Sequence, residues 1–355
     1  MLEAALLGTP RSQTHLSYYA GKRVLITGGL GFIGSNLALR LLDLDAEVLL
    51  VDALIPDTGG NAFNVEMARD HPQLAVRKAD VRDTLRMERL VQGQDIIFNL
   101  AGQVSHVDSM RDPFTDLEIN CRSQLALLEA CRHNAPEVKV LFASTRQIYG
   151  RVPADELPVN EQRCPNPVDV NGINKLAGER YHILYNNVYG IRTCVLRLTN
   201  TYGPRMLVKN SRQTFIGCFV RQAVDGEEIQ LFGDGSQLRD LTYVEDVAEA
   251  FLMAGANEAA NGQIFNVGGT RPYSLRDISD ILVDVAGSGG YQLVPFPEAR
   301  KAIDIGSVHV DDRKIRRALG WAPKVDLREG LQRTIAFYHE HRAHYWEALP
   351  AAALV

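Results

Sequence analysis

The residues best placed to do chemistry begin with a glycine series. Gly28-Gly29-Leu30-Gly31-Phe32-Ile33-Gly34 reads G-x-x-G-x-x-G between the β-branched run Arg23–Thr27 and an apolar pattern of helical spacing over Phe32–Leu42. In such a strand–turn–helix the first glycine permits a tight turn, the second lets backbone approach a pyrophosphate, and the third allows close helix–strand packing. Phosphates then sit on a helix N-terminus, whose free N–H groups and dipole favour anions. Phe32 and Ile33, in the first helical turn, border that site. Asp52 ends the next strand, Glu47–Asp52, at the place where a carboxylate accepts from both hydroxyls of a ribose. The same charge repels a 2′-phosphate, and the following Ala53 and Leu54 offer no arginine to reverse that choice, so NAD is expected rather than NADP. Asp80-Val81, after the strand Leu74–Asp80, is where an adenine amino group is expected. Glycines alone would also suit an ordinary strand-to-helix turn; the carboxylate in register with them points to a dinucleotide.

The elements that must hold these residues alternate. Strands are expected at Asp95–Ala101, Val138–Ser144 and Arg192–Leu198, with helices over Phe114–His133 and Gly172–Tyr189. That order predicts an α/β fold, a Rossmann-type doubly wound parallel sheet. After Tyr202-Gly203-Pro204 polar loops separate short strands such as Glu228–Phe232 from helices at Val244–Ala256, Leu275–Val285 and Leu327–Glu340. This reads as a smaller C-terminal α/β substrate lobe. The expected division is a flexible leader over 1–20, an NAD-binding domain over 21–200, a mainly substrate-binding lobe over 201–345 interwoven with it, and a tail over 346–355.

Bulk properties exclude several classes. With 46% hydrophobic and 23% charged residues the composition is that of a globular protein rather than a disordered one. A net charge of −5 gives no electrostatic reason for a nucleic-acid or anionic-membrane partner. No apolar run reaches bilayer length, and the patch Ala4–Leu7 has no basic start before it, so a cytoplasmic protein without a secretory signal is expected. The five cysteines form no C-x-x-C pair; Cys121, Cys131, Cys194 and Cys218 sit among apolar residues as reduced core thiols would. Cys164 lies in a Pro-rich loop with no thiol activator beside it, and no metal-ligand spacing is present.

Taken in order, the glycine series, Asp52, Asp80-Val81, Asn99-Leu100-Ala101-Gly102, Ser144-Thr145…Tyr149-Gly150, Asn200-Thr201-Tyr202-Gly203-Pro204, the segment Phe232–Val244 and Leu319-Gly320-Trp321-Ala322-Pro323 resemble the extended short-chain dehydrogenase/reductase family. The resemblance covers roughly residues 20 to 340 and is nearest to epimerase-like members, including those acting on CDP-sugars. It implies NAD lying against Leu100, Ala101 and Gly102 as well as the glycines, a nucleotide-diphosphate sugar as substrate, and a homodimer paired through the helices Phe114–His133 and Gly172–Tyr189. Those helices would otherwise serve only to cover the sheet.

Family chemistry uses a Ser or Thr, a Tyr, and a Lys four residues later on the same helix face. The first maps to Thr145 and the lysine, which also binds ribose, to Lys175; the tyrosine position is Asn171, whose amide is no proton-transfer base. Candidates to replace the phenol are His106, a residue type suited to proton transfer near neutral pH, Tyr149, a water held by Lys175 or by Asn171 itself, and Asp169; a backbone-bonded loop histidine and a packed tyrosine are the competing readings. Arg146-Gln147 stand where dehydratases and decarboxylases of the family carry carboxylates, which argues against a 4,6-dehydratase; Arg146 is a candidate for an anionic part of the substrate, such as a uronate, or a structurally paired arginine. Asn200, Arg239 and Arg300 match positions that contact the sugar diphosphate. The expected activity is NAD-dependent transient oxidation of a sugar carbon, foremost as an epimerase, with a dehydrogenase or decarboxylase as variants and a non-catalytic NAD and sugar-nucleotide binder as the contrasting class.

Overall fold

The computed structural model describes residues 15, 17–209, 214–297 and 301–346. Its first half lays down β1 (Arg23–Thr27), α1 (Phe32–Leu42), β2 (Glu47–Asp52), β3 (Leu74–Lys78), α2 (Thr84–Leu90) and β4 (Ile96–Asn99). Then come α3 (His106–Arg111), α4 (Pro113–Leu117), α5 (Ser123–Asn134), β5 (Lys139–Thr145), α6 (Val170–Tyr189) and β6 (Arg192–Leu198). Side chains alternate across the strands: Val24 and Ile26 join one apolar cluster with α1, while Leu25 joins another with α5. A strand apolar on both faces must be covered on both, which is why the sheet is parallel and sandwiched between helices.

The second half supplies β7 (Asn200–Tyr202), α7 (Phe215–Asp225), β8 (Glu228–Phe232), β9 (Leu238–Tyr243), α8 (Val244–Ala256), β10 (Gln263–Val267), β11 (Pro272–Ser274), α9 (Leu275–Ala286), β12 (Gly290–Val294), α10 (Arg313–Leu319) and α11 (Leu327–His341). The large sheet has seven strands in the order β10-β6-β5-β4-β1-β2-β3, all parallel. Its winding reverses between β1 and β4, so the loops beyond these strands part and open a crevice at their carboxyl ends, where ligands of open α/β sheets bind. A smaller lobe sets β9 between β7 and β11, pairs β8 with β12, and packs α7, α9 and α11 around Ile216, Ile229, Ile278, Leu331 and Tyr338. The chain crosses back after position 201: β10 is the edge strand of the large sheet, and Phe251 of α8, Ile315 of α10 and Trp321 lie in its core.

Three departures from the expected elements bear on the site. The strand expected over Asp95–Ala101 stops at Asn99, where Thr27 Oγ1 accepts from both the Leu100 and Ala101 N–H groups at 3.1 Å while the Leu100 N–H also bonds the Thr27 carbonyl at 3.2 Å. The helix expected from Gly172 starts at Val170, with the Asp169 carboxylate capping it through the Gly172 N–H. The single helix expected over Phe114–His133 is broken by a π-turn at Glu118–Arg122, where Ser123 Oγ and Gln124 Nε2 both donate to the Ile119 carbonyl. Such turns recur at functional sites. Here Asn120, within the turn, donates to the Gln103 carbonyl and to Asp116. Among the described residues no helix is long and apolar enough to cross a membrane, and no group of three or more His, Cys, Asp or Glu is placed to hold a metal.

Candidate active site

One cavity of about 940 Å³ runs from the glycine turn, past the ends of β4 and β5, to the small lobe. At its first end Gly28 takes φ +68, and a Cβ there would stand 2.9 Å from the Ala101 nitrogen. A Cβ on Gly34 would reach 2.3 Å from the Gly28 carbonyl oxygen, so α1 can approach the turn only with glycine at that place. Gly31 caps α1 without a side-chain acceptor, leaving the first N–H groups of the helix for a ligand. Asp52 lines the cavity with its carboxylate held by the N–H groups of Leu30 and Leu54 at 3.1 and 2.9 Å. Phe32, Ile33, Asp80, Val81, Leu100, Ala101 and Gly102 line it as well. Asp80 is in addition clamped by Arg82, whose guanidinium and N–H hold its carboxyl below the usual range. A close backbone approach, an open helix N-terminus and an anchored carboxylate together fit the pyrophosphate and ribose of a dinucleotide.

In the middle of the cavity stand Thr145, Arg146, Gln147, Asn171, Lys175 and His106. The Lys175 Nζ donates to the Ala143 carbonyl at 3.2 Å and lies 5.0 Å above the Phe142 ring. Burial pushes its ammonium down to about 8, against the pull of Asp116. Gly102 leaves room for it, since a Cβ there would stand 2.9 Å from Nζ. Thr145 Oγ1 accepts from the Gln147 N–H at 3.1 Å, which fixes its hydroxyl at the end of β5.

Asn171 does not present its amide as a tyrosine would present a hydroxyl. Its Nδ2 donates to the Gln103 carbonyl at 2.8 Å and to Asp116 Oδ2 at 3.1 Å. Asn120 and Asn174 donate to the same fully buried carboxylate at 3.0 and 2.8 Å, so three amides surround Asp116. No motif flagged Asp116 or Asn174; the spacing of Asn171 and Asn174 on one helix was the available signal.

His106 and Asp169 come together. Nδ1 of His106 is 3.0 Å from Asp169 Oδ2, at an angle short of a good hydrogen bond. Asp169 is buried and also accepts from Gln147 Nε2 at 2.7 Å and from the Gly172 N–H at 2.6 Å. Burial alone would raise its carboxyl; the imidazole beside it and these N–H groups outweigh that and hold it below the usual range. Tyr149 is elsewhere: fully buried beneath the cavity, it donates to Asn266 and accepts from Arg197, which pairs with Glu179. It packs, and its burial pushes the phenol up to about 12, which takes it off the list of proton-transfer groups.

Toward the small lobe, Arg146 makes no hydrogen bond or ion pair among the described residues. Burial and the neighbouring Arg239 push its guanidinium down to about 10, with Asp240, Asp304 and Asp169 opposing. Arg239 donates to the Leu238 and Gly306 carbonyls and to Gln237 and lies 3.6 Å from Asp304. Asn200 lines the same stretch, its buried Oδ1 unpaired among the described residues. Arg300 lies outside the described residues.

A doubly wound sheet with a glycine turn, a ribose-side carboxylate and a threonine–lysine pair over one cleft defines a dinucleotide-dependent enzyme class. The chain belongs to the NAD dependent epimerase/dehydratase family, which its residues 24–268 match. It is 32% identical over 314 residues to a putative UDP-glucose 4-epimerase of Methanocaldococcus jannaschii, covering 88% of this chain and 97% of that protein. It is 33% identical over 317 residues to the UDP-glucose 4-epimerase of Mycolicibacterium smegmatis, covering 89% and 98%. An epimerase structure from Methanothermobacter thermautotrophicus superposes with a TM-score of 0.85 at 26% identity, over 94% of this chain and 97% of that one.

Proposed function

We propose that the protein epimerises one carbon of a nucleoside-diphosphate sugar through transient oxidation. The observation that carries this reading is the continuity of the cleft from the dinucleotide cradle at Gly28 and Asp52, past Thr145 and Lys175, to Arg239 and Asn200. A cofactor and a second nucleotide fit one behind the other, with the sugar between them. NAD supplies the oxidant and returns what it takes. Thr145 Oγ1 donates to the reacting sugar oxygen, Lys175 holds positive charge beside the ribose, and Arg239 with Asn200 binds the diphosphate end. Arg146, a guanidinium with no acceptor among the described residues, binds an anionic substituent of the sugar. Relatives and neighbours in the family that act on UDP-glucose support the substrate class. A second reading, binding of both ligands without turnover, draws on Asn171, whose amide is satisfied away from the reacting position.

Incubation with NAD and UDP-glucose, UDP-galactose, UDP-glucuronic acid, dTDP-glucose or a CDP-hexose in deuterated water, followed by NMR and mass spectrometry, decides between them. An epimer of unchanged mass supports the proposal. Net NADH with an oxidised sugar marks a dehydrogenase, loss of CO₂ a decarboxylase, and tight binding with no product the non-catalytic reading.

We further propose a homodimer. Ile173, Leu184 and Val188 are exposed at helical spacing on α6, beside exposed Phe114 and Leu117 of α4. An apolar stripe of this kind is the usual face of a symmetric helix pairing. Sedimentation should give twice the chain mass for the wild type and a monomer for Leu184→Glu.

A further inference from the structure

We propose that His106 is the proton acceptor that stands in for the absent tyrosine, held and charge-balanced by Asp169. The inference rests on the oxidation chemistry of the preceding section and names the group it lacks. Four observations converge on the pair. His106 lines the cleft together with Thr145 and Lys175, and its Nε2 has no hydrogen-bond partner among the described residues. Its side chain is 30% exposed, open to a ligand, whereas that of Asp169 is wholly buried. Asp169 is immobilised from two sides, by the Gly172 N–H that it caps and by Gln147, whose own backbone N–H is tied to Thr145 Oγ1. Asn171, two residues on, is turned to Gln103 and Asp116, which leaves the reacting position to the imidazole. A base oriented by a buried carboxylate is the arrangement by which an imidazole takes a hydroxyl proton.

The step balances. The sugar O–H bond breaks and its proton passes to His106 Nε2, while the C–H bond breaks and the carbon gives up hydrogen and both electrons to oxidised NAD. A secondary alcohol becomes a ketone, NAD is reduced, and Asp169 offsets the imidazolium charge. Return of hydrogen and electron pair to the opposite face, with the proton from Nε2, gives the epimer.

Two measurements test the pair. ¹⁵N-histidine NMR of the full chain, with the His106 signals identified by their loss in His106→Gln, should show neutral His106 protonated on Nδ1 and bare at Nε2. Asp169→Asn, which can still cap α6, should weaken that preference. Turnover of the substrates named above should then fall about 10²- to 10⁴-fold in kcat for His106→Gln, and about 10²-fold for Asp169→Asn, with KM and NAD affinity unchanged. Binding of NAD by both variants controls for folding. A proton resting on Nε2, or His106→Gln within about twofold of wild-type kcat, overturns the proposal while leaving epimerisation standing. An intact Nδ1 tautomer in a protein that binds but converts none of those sugars overturns the epimerase reading, and with it the pair's catalytic role.

Discussion

Asn171 Nδ2 and Asp116 Oδ2 lie 3.1 Å apart in the wall of the cleft, an amide donating to a carboxylate where a phenol would be expected. The contact makes Asn171 a structural residue. Asn171→Ala leaves Asp116 with two of its three amide donors and should lower unfolding free energy by about 1–3 kcal/mol. Asn171→Asp replaces a donor with a second carboxylate and should cost more, the loss growing as pH rises through the carboxylate range. Urea denaturation of both variants across pH 4 to 8 checks the order and the slope.

The cradle is the least tolerant part of the chain. Gly34→Ala brings a methyl to 2.3 Å from the Gly28 carbonyl oxygen, backbone against backbone with no flexible side chain to yield. Loss of measurable NAD binding by calorimetry is the expected outcome, with a lowered melting temperature. A variant that binds NAD within about threefold of the wild type would show that the turn opens more readily than its packing indicates.

Asp52 is anchored by two N–H groups, and the proposed role of its charge in cofactor choice can be tested directly. Asp52→Asn keeps an acceptor for one of them and removes the charge that repels a 2′-phosphate. Affinity for NAD should drop about tenfold or more, and the preference for NAD over NADP should narrow, both read by titration calorimetry.

Lys175 has a pH signature of its own. Burial lowers its ammonium from the ordinary range near 10.4 to about 8, so the folded state favours the neutral amine. A base whose folded value is depressed carries no penalty above its unfolded value. The penalty grows as pH falls from about 10.4 to about 8 and is constant below that. Its size is on the order of 3 kcal/mol. Lys175→Met should therefore be inactive yet, in the ligand-free state at pH 7, more stable than the wild type by about 1–3 kcal/mol, the gap closing toward pH 10. Paired thermal melts at pH 7, 8.5 and 10 test the sign.

Arg146 lies near Arg239, with Asp240, Asp304 and Asp169 acting on it from a distance and no ion pair among the described residues. If its partner is the substrate, Arg146→Gln should raise KM for an anionic sugar nucleotide such as UDP-glucuronic acid about tenfold or more and leave UDP-glucose nearly untouched. Equal changes for both would place Arg146 at the diphosphate instead.

Much of this is legible in the sequence. The glycine turn, Asp52 and the parallel strands declare themselves because each depends on local geometry: a positive φ, a strand end, a run apolar on both faces. The threonine–lysine pair followed from family spacing. What the sequence did not disclose depends on contacts across long separations. The π-turn at Glu118–Arg122 comes from side chains reaching back to Ile119, which leaves no mark on the apolar periodicity of Phe114–His133. Tyr149 stood among the catalytic candidates because it neighbours Thr145 in sequence; its placement under the cleft is set by Asn266 and Arg197, far along the chain. Nothing in the sequence joins Asp169 to His106, and only the packing of α3 against α6 brings them to 3.0 Å.

The return of the chain to the large sheet has a consequence for how the protein comes into being. Until Gln263–Val267 has been synthesised, β6 is a bare edge able to pair with any passing strand, and until α8, α10 and Trp321 are all in place, one apolar face of the large sheet stays wet. A growing chain that has already completed its glycine turn and α6 therefore still exposes a sheet edge and apolar surface, the features that favour aggregation. Trp321, whose Nε1 donates to the Asp246 carbonyl at 2.9 Å, is the residue whose arrival closes that core.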